Sequence, residues 1–355
     1  MIQADSINNL NICPTLEFID TSTLKFESGK EFRKPAVCGY CVHDIDSVKG
    51  EMIKSSLGHA EIFLDINPCD SIDPFSDPVN DRDAIETHDF VHLGEPDGDE
   101  DERNNYVRTA RRAKLALGRT ITYAIEAFAR QHRQFLYSIF VIGSQARFMR
   151  WDRSGVIVTR AFDYKSEPKL LCKFLRRFGL ASPEQRGYDP TVNWASADEE
   201  EVFARHIREE VAFQLDLDEN TKKAELDEAV EEHYAKGRVM KMEIHNPRDK
   251  TNEYFLISRS IQSPICLAGR ATRGYWSVKA EGKDARKVFF IKDTWRVTDE
   301  DLHREKEAYK DINSKKKGVL NVGTMYCGRG VHKQLHRARN KQTGSPVCLL
   351  FVRRK

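Results

Sequence analysis

The sequence predicts an α+β protein in two parts, a mixed α/β N-terminal domain and a C-terminal antiparallel sheet with one helix. Three observations carry this prediction. Apolar residues recur at helical spacing between Ala113 and Ala129, and short strand-like runs lie on both sides of that helix. An acidic helical pattern covers residues 198–236 and stops at Gly237. From Val239 onward the runs are short and strand-like, apart from a helical pattern at 299–313. The 355 residues and their 40% apolar content suffice for two cores.

The elements follow in order. Residues 1–94 mix strand-like runs with turn signals. The clearest strand is 60–66, after which Pro68, Pro74 and Pro78 interrupt regular structure. Residues 95–104 are acidic and read as a solvated linker, since they lack the alternating ligand pattern of a calcium loop. The helix ending near His132 comes next, then strands at 136–142 and 146–151. Asp152-Arg153-Ser154-Gly155 supplies a turn, 156–159 a return strand and 169–178 a second helix. The domains expected are therefore a strand-rich 1–94, the linker 95–104, the rest of the first domain at 105–196, a helical bridge at 197–240, and 241–355. No repeat of 20–50 residues occurs, which excludes a solenoid.

Composition excludes several function classes. A formal charge of +2 points to no particular partner. The basic residues are uneven, however: Asp311 is the last acidic residue, and Lys315, Lys316, Lys317, Arg329, Lys333, Arg337, Arg339, Lys341, Arg353, Arg354 and Lys355 follow it. Such a basic tail is either a solvated end or a nucleic-acid contact. No apolar run approaches the roughly 20 residues needed to span a bilayer, and the N-terminus lacks a secretion signal. An intracellular location in cytoplasm or nucleus is expected, with the eight cysteines reduced. Cys38-Gly39-Tyr40-Cys41 has redox spacing, but the strand-like pattern around it withholds the helix N-terminus that lowers a thiol pKa.

The chemistry is concentrated between Phe255 and Glu307. Gly269-Arg270-Ala271-Thr272-Arg273-Gly274 lies between two strand-like runs, Lys292 closes the run 288–291, and Glu305 and Glu307 sit on the helical pattern beyond. A glycine-bearing turn lets backbone N–H groups approach phosphates. A lysine on a strand contacts the α- and β-phosphates, and a helix glutamate fixes it. This is the order of a protein-kinase small lobe.

Five stretches resemble one family, the fungal-type protein kinases. They are Arg130-Gln131-His132-Arg133-Gln134-Phe135, Ala146-Arg147-Phe148-Met149-Arg150-Trp151-Asp152-Arg153-Ser154-Gly155, and Ser182-Pro183-Glu184-Gln185-Arg186-Gly187-Tyr188-Asp189-Pro190-Thr191, then Gly269–Tyr275 and Phe290-Ile291-Lys292-Asp293-Thr294-Trp295-Arg296. The resemblance covers roughly residues 110–330. It implies a bilobal kinase fold using ATP and Mg2+, behind a family-specific N-terminal domain. Carried over, Gly269 and Gly274 would cover the phosphates, Lys292 would orient ATP, and Glu307, or alternatively Glu305, would pair with Lys292.

The departures are equally specific. No His-Arg-Asp loop and no Asp-Phe-Gly follow Lys292, and His336-Arg337-Ala338 has alanine where the base would be. The expectation is a small lobe whose large lobe is missing and which is catalytically incomplete, a pseudokinase, unless it is part of a longer active kinase. Ala271 replaces the middle glycine, and Phe290 stands where kinases often keep a small alanine against adenine. The apolar run 347–352, left uncovered, would offer a surface to another protein. In the first domain, the order strand, Pro35, strand with Asp65, helix, two strands is similar to a metal-dependent nuclease fold. Ala36 and Asn67 stand where that chemistry needs a carboxylate and a lysine.

Overall fold

The computed structural model describes residues 2–22, 35–42, 57–67, 73–77, 91, 100–215, 223–246, 250–282, 285, 287–297, 309, 324–330 and 344–352. It divides into two compact units, Met1–Tyr188 and Asp189–Lys355. Each carries a seven-stranded sheet. Among the described residues no helix is long and apolar enough to cross a membrane.

In the first unit, helix α1 (Ala4–Asn9) precedes strands β1 (Leu16–Asp20), β2 (Val37–Cys41) and β3 (Ala60–Asn67). Helix α2 (Glu100–Arg130) leads to β4 (Phe135–Ile142), β5 (Gln145–Asp152), β6 (Gly155–Val158), β7 (Phe162–Asp163) and helix α3 (Pro168–Leu180). The strands lie in the order β1 to β6, with β7 on β5. The one parallel pair in this order is β3 with β4. Parallel neighbours need a long crossover, and α2 supplies it.

Strand β3 is buried on both faces, as a strand between two layers must be. Ile62 and Leu64 join one core with Ile7 of α1 and Leu171, Leu175 and Phe178 of α3. Phe63 points the other way and meets Tyr123 of α2 edge-on, with ring centroids 5.8 Å apart. Sequence alternation thus sets the layers: even positions of β3 serve α1 and α3, odd positions serve α2.

In the second unit, β8 (Val192–Trp194) is followed by helices α4 (Ala197–Leu215) and α5 (Lys223–Glu231). Then come β9 (Met240–Asn246), β10 (Thr251–Gln262), β11 (Arg273–Lys279), β12 (Val288–Val297), β13 (Thr324–Gly330) and β14 (Gly344–Val352). The sheet order is β13-β14-β12-β11-β10-β9-β8, and every pairing is antiparallel. Helix α4 opens with a capping box: the Glu199 amide donates to Ser196 Oγ at 3.2 Å, and the Ser196 amide donates to the Glu199 carboxylate at 2.9 Å. Its stripe Phe203, Ile207 and Val211, at i, i+4, i+8, packs with Leu226 and Val230 of α5 on Leu256 and Val278 of the sheet.

Several boundaries differ from the sequence reading, most for a physical reason. Residues 100–104 belong to α2, which begins at Glu100. The stretch 198–236 holds two described helices, ending at Leu215 and resuming at Lys223. Their apolar stripes share a core with the sheet, so they are part of that layer. Residues 189–196 go with the second unit because β8 pairs with β9. Strand β12 runs five residues past Lys292, since β14 pairs with it as far as Val297. The segment after Asp311 is not all tail, for it contributes β13 and β14. Strand β14 is paired on both edges, between β12 and β13. Of the helical pattern at 299–313 only Tyr309 is described, and it is helical.

Candidate functional site

Strands β10, β11 and β12 form an antiparallel meander, and the loop 263–272 joins the first two. Gly274, the second residue of β11, lies directly opposite Lys292 on β12. Such partners have Cα atoms about 4.5–5.5 Å apart, so the glycine loop returns to the sheet beside the lysine. Lys292 is half-buried and stands mid-strand.

The loop is tied down past the lysine. The carbonyl of Arg270 accepts from the Trp295 amide at 2.8 Å and from Thr294 Oγ1 at 3.1 Å. Thr272 and Thr294 share a hydroxyl contact of 3.0 Å. Gly269 has φ +99° with nothing within 4 Å of where a Cβ would stand. Ala271 has φ +41°, a left-handed conformation that glycine would adopt without strain.

Behind the lysine runs a charged network that motif reasoning missed. Arg273 donates to Asp293 Oδ2 from Nη2 at 2.6 Å and from Nε at 3.1 Å, and both residues are buried. Burial holds the pKa of Asp189 above the usual carboxylate value. The charge of Asp293 adds to this, against two hydrogen bonds from Thr191 and the Arg273 charge. The available signal was the adjacency of Asp293 to Lys292. What it could not show is that Asp293 is spent on Arg273. Glu307 and its alternative Glu305 lie outside the described residues, as does His336-Arg337-Ala338.

The motif stretches of the first unit prove to be structural joints. Glu61 is buried between Arg133 at 3.1 Å and Arg186 at 3.6 Å, and accepts from the Tyr188 hydroxyl at 2.9 Å. Arg133 also donates to the Arg186 carbonyl at 2.8 Å and to Gln131, while its guanidinium lies 3.8 Å over the Tyr188 ring. Gln131 donates to the carbonyls of Leu57 and Ala60. Trp151 donates its indole N–H to Ser138 at 2.8 Å, and Asp152 accepts from the Ser154 amide in the hairpin turn. Arg147 is held by Asp73 and Asp77 at 2.9 and 2.6 Å. Each block contains a residue that fastens two elements distant in sequence.

Two sequence candidates resolve into packing. Cys38 and Cys41 lie on β2, with Cys38 inside the strand, and burial pushes the Cys38 thiol up to about 12, far from a reactive thiolate. Asp65 is buried, and Arg119 reaches both Asp65 at 2.9 Å and Asn67 at 2.6 Å, with the Thr120 hydroxyl also on Asp65. The Asp65 carboxylate is thus engaged by protein donors. Burial raises the Asp65 pKa, and Arg119 and Thr120 only partly offset it. Among the described residues no cluster of histidine, cysteine and carboxylate groups could hold a metal ion.

A family model described as fungal protein kinase matches residues 102–344, more than half of the chain and parts of both units. The chain belongs to the fungal protein kinase family. No curated protein and no solved structure matches it. The match starts inside α2, so β1 to β3 stand outside the matched region. All five stretches that carry the resemblance fall within it.

Proposed function

We propose that the second unit is the nucleotide-facing small lobe of a fungal-type kinase, and that these 355 residues by themselves bind ATP weakly and transfer no phosphoryl group. One observation carries the reading: the register that sets Gly274 opposite Lys292 on the third strand of the meander. A kinase places its phosphate-contacting lysine on that strand, under the glycine loop. The described residues suit the phosphates of ATP through Lys292 and the backbone of loop 263–272. Among the described residues no carboxylate cluster suits magnesium. Bound ATP would supply the transferable phosphoryl group. Phosphoryl transfer also needs a base for the acceptor hydroxyl and carboxylate or amide ligands for the metal. The sequence after Lys292 contains neither motif.

Thermal shift with magnesium ATP, on the chain and on Lys292→Ala, tests the reading. A small stabilisation present in the wild type and absent from the variant is expected, because a ligand stabilises only the state that binds it. Equal stabilisation of both proteins would place the nucleotide elsewhere. Phosphate transfer to a generic protein acceptor at a rate lost in Lys292→Ala would contradict the incomplete chemistry.

A further inference from the structure

Helix α3 has two opposed faces. Leu171, Leu175 and Phe178 belong to the core of the first unit. Lys169, Lys173, Arg176 and Arg177 stand at i, i+4, i+7 and i+8 on the opposite side, and all four are exposed. The helix contains no acidic residue, and the nearest in sequence are Glu167 before it and Glu184 beyond it.

These four cations differ from the other arginines of their unit. Arg119, Arg130, Arg133, Arg147, Arg150 and Arg186 each lie no more than 3.6 Å from a carboxylate oxygen. Among the described residues no carboxylate pairs with any of the four on α3. Lys169 with Lys173, and Lys173 with Arg177, are also like-charged i,i+4 pairs, which cost helix stability. The row is therefore kept in spite of folding, not because of it.

Its geometry and setting select the partner. The row is about 12 Å long, so its charges recur about every 4 Å. Phosphates along one strand of a duplex recur about every 3.4 Å, and ammonium and guanidinium groups both bind their oxygens. A bilayer surface is a poorer match, because the apolar side of α3 is used in the core and is not free to enter lipid. Leu170 and Leu180, 43% and 68% exposed, are the anchors a protein partner would use, and a phosphate backbone has no need of them.

We propose that the exposed face of α3 is a nucleic-acid-binding surface, which holds the phosphate backbone of a duplex through Lys169, Lys173, Arg176 and Arg177 without reading bases. It stands apart from the nucleotide reading of the second unit.

The test is fluorescence anisotropy of a labelled mixed-sequence DNA duplex titrated with the full chain at several salt concentrations. Four phosphate contacts imply a loss of affinity of roughly 100-fold between about 50 and 200 mM salt. Lys173→Gln/Arg177→Gln keeps helix propensity and relieves the like-charge pairs, so its unfolding midpoint should match or exceed that of wild type. It should bind more than about tenfold more weakly at low salt and flatten the slope of log affinity against log salt by about two. Leu170→Gln/Leu180→Gln should bind as wild type does. Unchanged binding in the Lys173/Arg177 variant, or no binding at low salt, would overturn the proposal. Loss of binding in the leucine variant, or displacement of the duplex by poly-glutamate at equal charge, would assign the face to an acidic protein instead. Displacement by phosphatidylserine vesicles would assign it to a membrane surface.

Discussion

Gly187 in the first unit and Gly269 in the second have the same backbone dihedral, φ +99°, and opposite surroundings. A Cβ on Gly187 would overlap the carbonyl oxygen of Phe135 and stand 2.8 Å from its carbon. A Cβ on Gly269 would meet nothing within 4 Å. Both positions favour glycine on conformation, but only one is glycine because the protein fills the space. Gly187 belongs to a joint: its carbonyl accepts from the Gln134 amide at 2.8 Å, next to the Arg133–Glu61–Arg186 cluster. Gly269 belongs to a loop with open space above it. A motif glycine with no steric neighbour is the better candidate for approach by a ligand.

The largest effect expected from this comparison is at Gly187. Gly187→Ala combines a backbone clash with a left-handed φ, and should cost more than about 4 kcal/mol, unfolding the first unit. Circular dichroism with hydrogen exchange would show that loss, and wild-type-like protection in β4 would refute the joint. Next comes Glu61→Ala, which strands Arg133 and Arg186 beside each other. Breaking a buried pair in this way costs about 3–5 kcal/mol, measurable as a lowered denaturant midpoint for the first unit. Gly269→Ala carries only the conformational penalty, about 1–2 kcal/mol, confined to the second unit. A penalty as large as that at Gly187 would mean that the loop is packed after all.

Asp65 gives a smaller effect with a definite sign. Its folded pKa lies above its ordinary value of 3.8 because burial disfavours the charged form. The folded state therefore holds this proton more tightly than the unfolded chain. The resulting stability is present below pH 3.8 and is lost as pH rises through the folded pKa. Asp65→Asn, which does not titrate, should gain on wild type as pH is raised across that window. Parallel stability curves for the two proteins would mean that Arg119 already offsets burial. The smallest expected change is at Ala271, where glycine relieves the φ of +41°. Ala271→Gly should be stabilising by about 0.5 kcal/mol or neutral, and a loss above 1 kcal/mol in denaturant unfolding would show that the buried methyl matters more than the strain.

The elements most legible in the sequence were those with long periodic patterns. Helix α3, the strands β4 to β6 and the apolar half of α2 were readable from spacing alone. So was the order of glycine loop, lysine strand and the strand at 347–352. The division into two described helices was hidden because both are acidic and both give apolar residues to one core. The joints were hidden for another reason. Glu61 meets Arg133 and Tyr188 across 72 and 127 residues of sequence, and no local pattern encodes such a pairing. The same distance hid what the family-specific blocks of the first unit do, which is to fasten elements far apart in sequence.

The basic segment after Asp311 can be tested for nucleic-acid contact only with its strands kept. Deleting residues 312–355 would remove β13 and β14 and unfold part of the second sheet, so loss of nucleic-acid binding after that deletion would not be diagnostic. Reversing the charges of Lys315, Lys316 and Lys317 keeps both strands and tests the same contact. Salt-sensitive binding lost in that variant would establish it.

The central claim is that chemistry-bearing backbone lies in the second unit while the motif residues of the first unit hold the fold. Amide hydrogen exchange of the full chain, with and without saturating magnesium ATP, tests this most directly. The account predicts added protection confined to Gly269–Gly274 and the part of β12 around Lys292, with exchange in β3, α2 and β4 unchanged. Protection centred on Asp65 and Arg119, with none near Lys292, would contradict it.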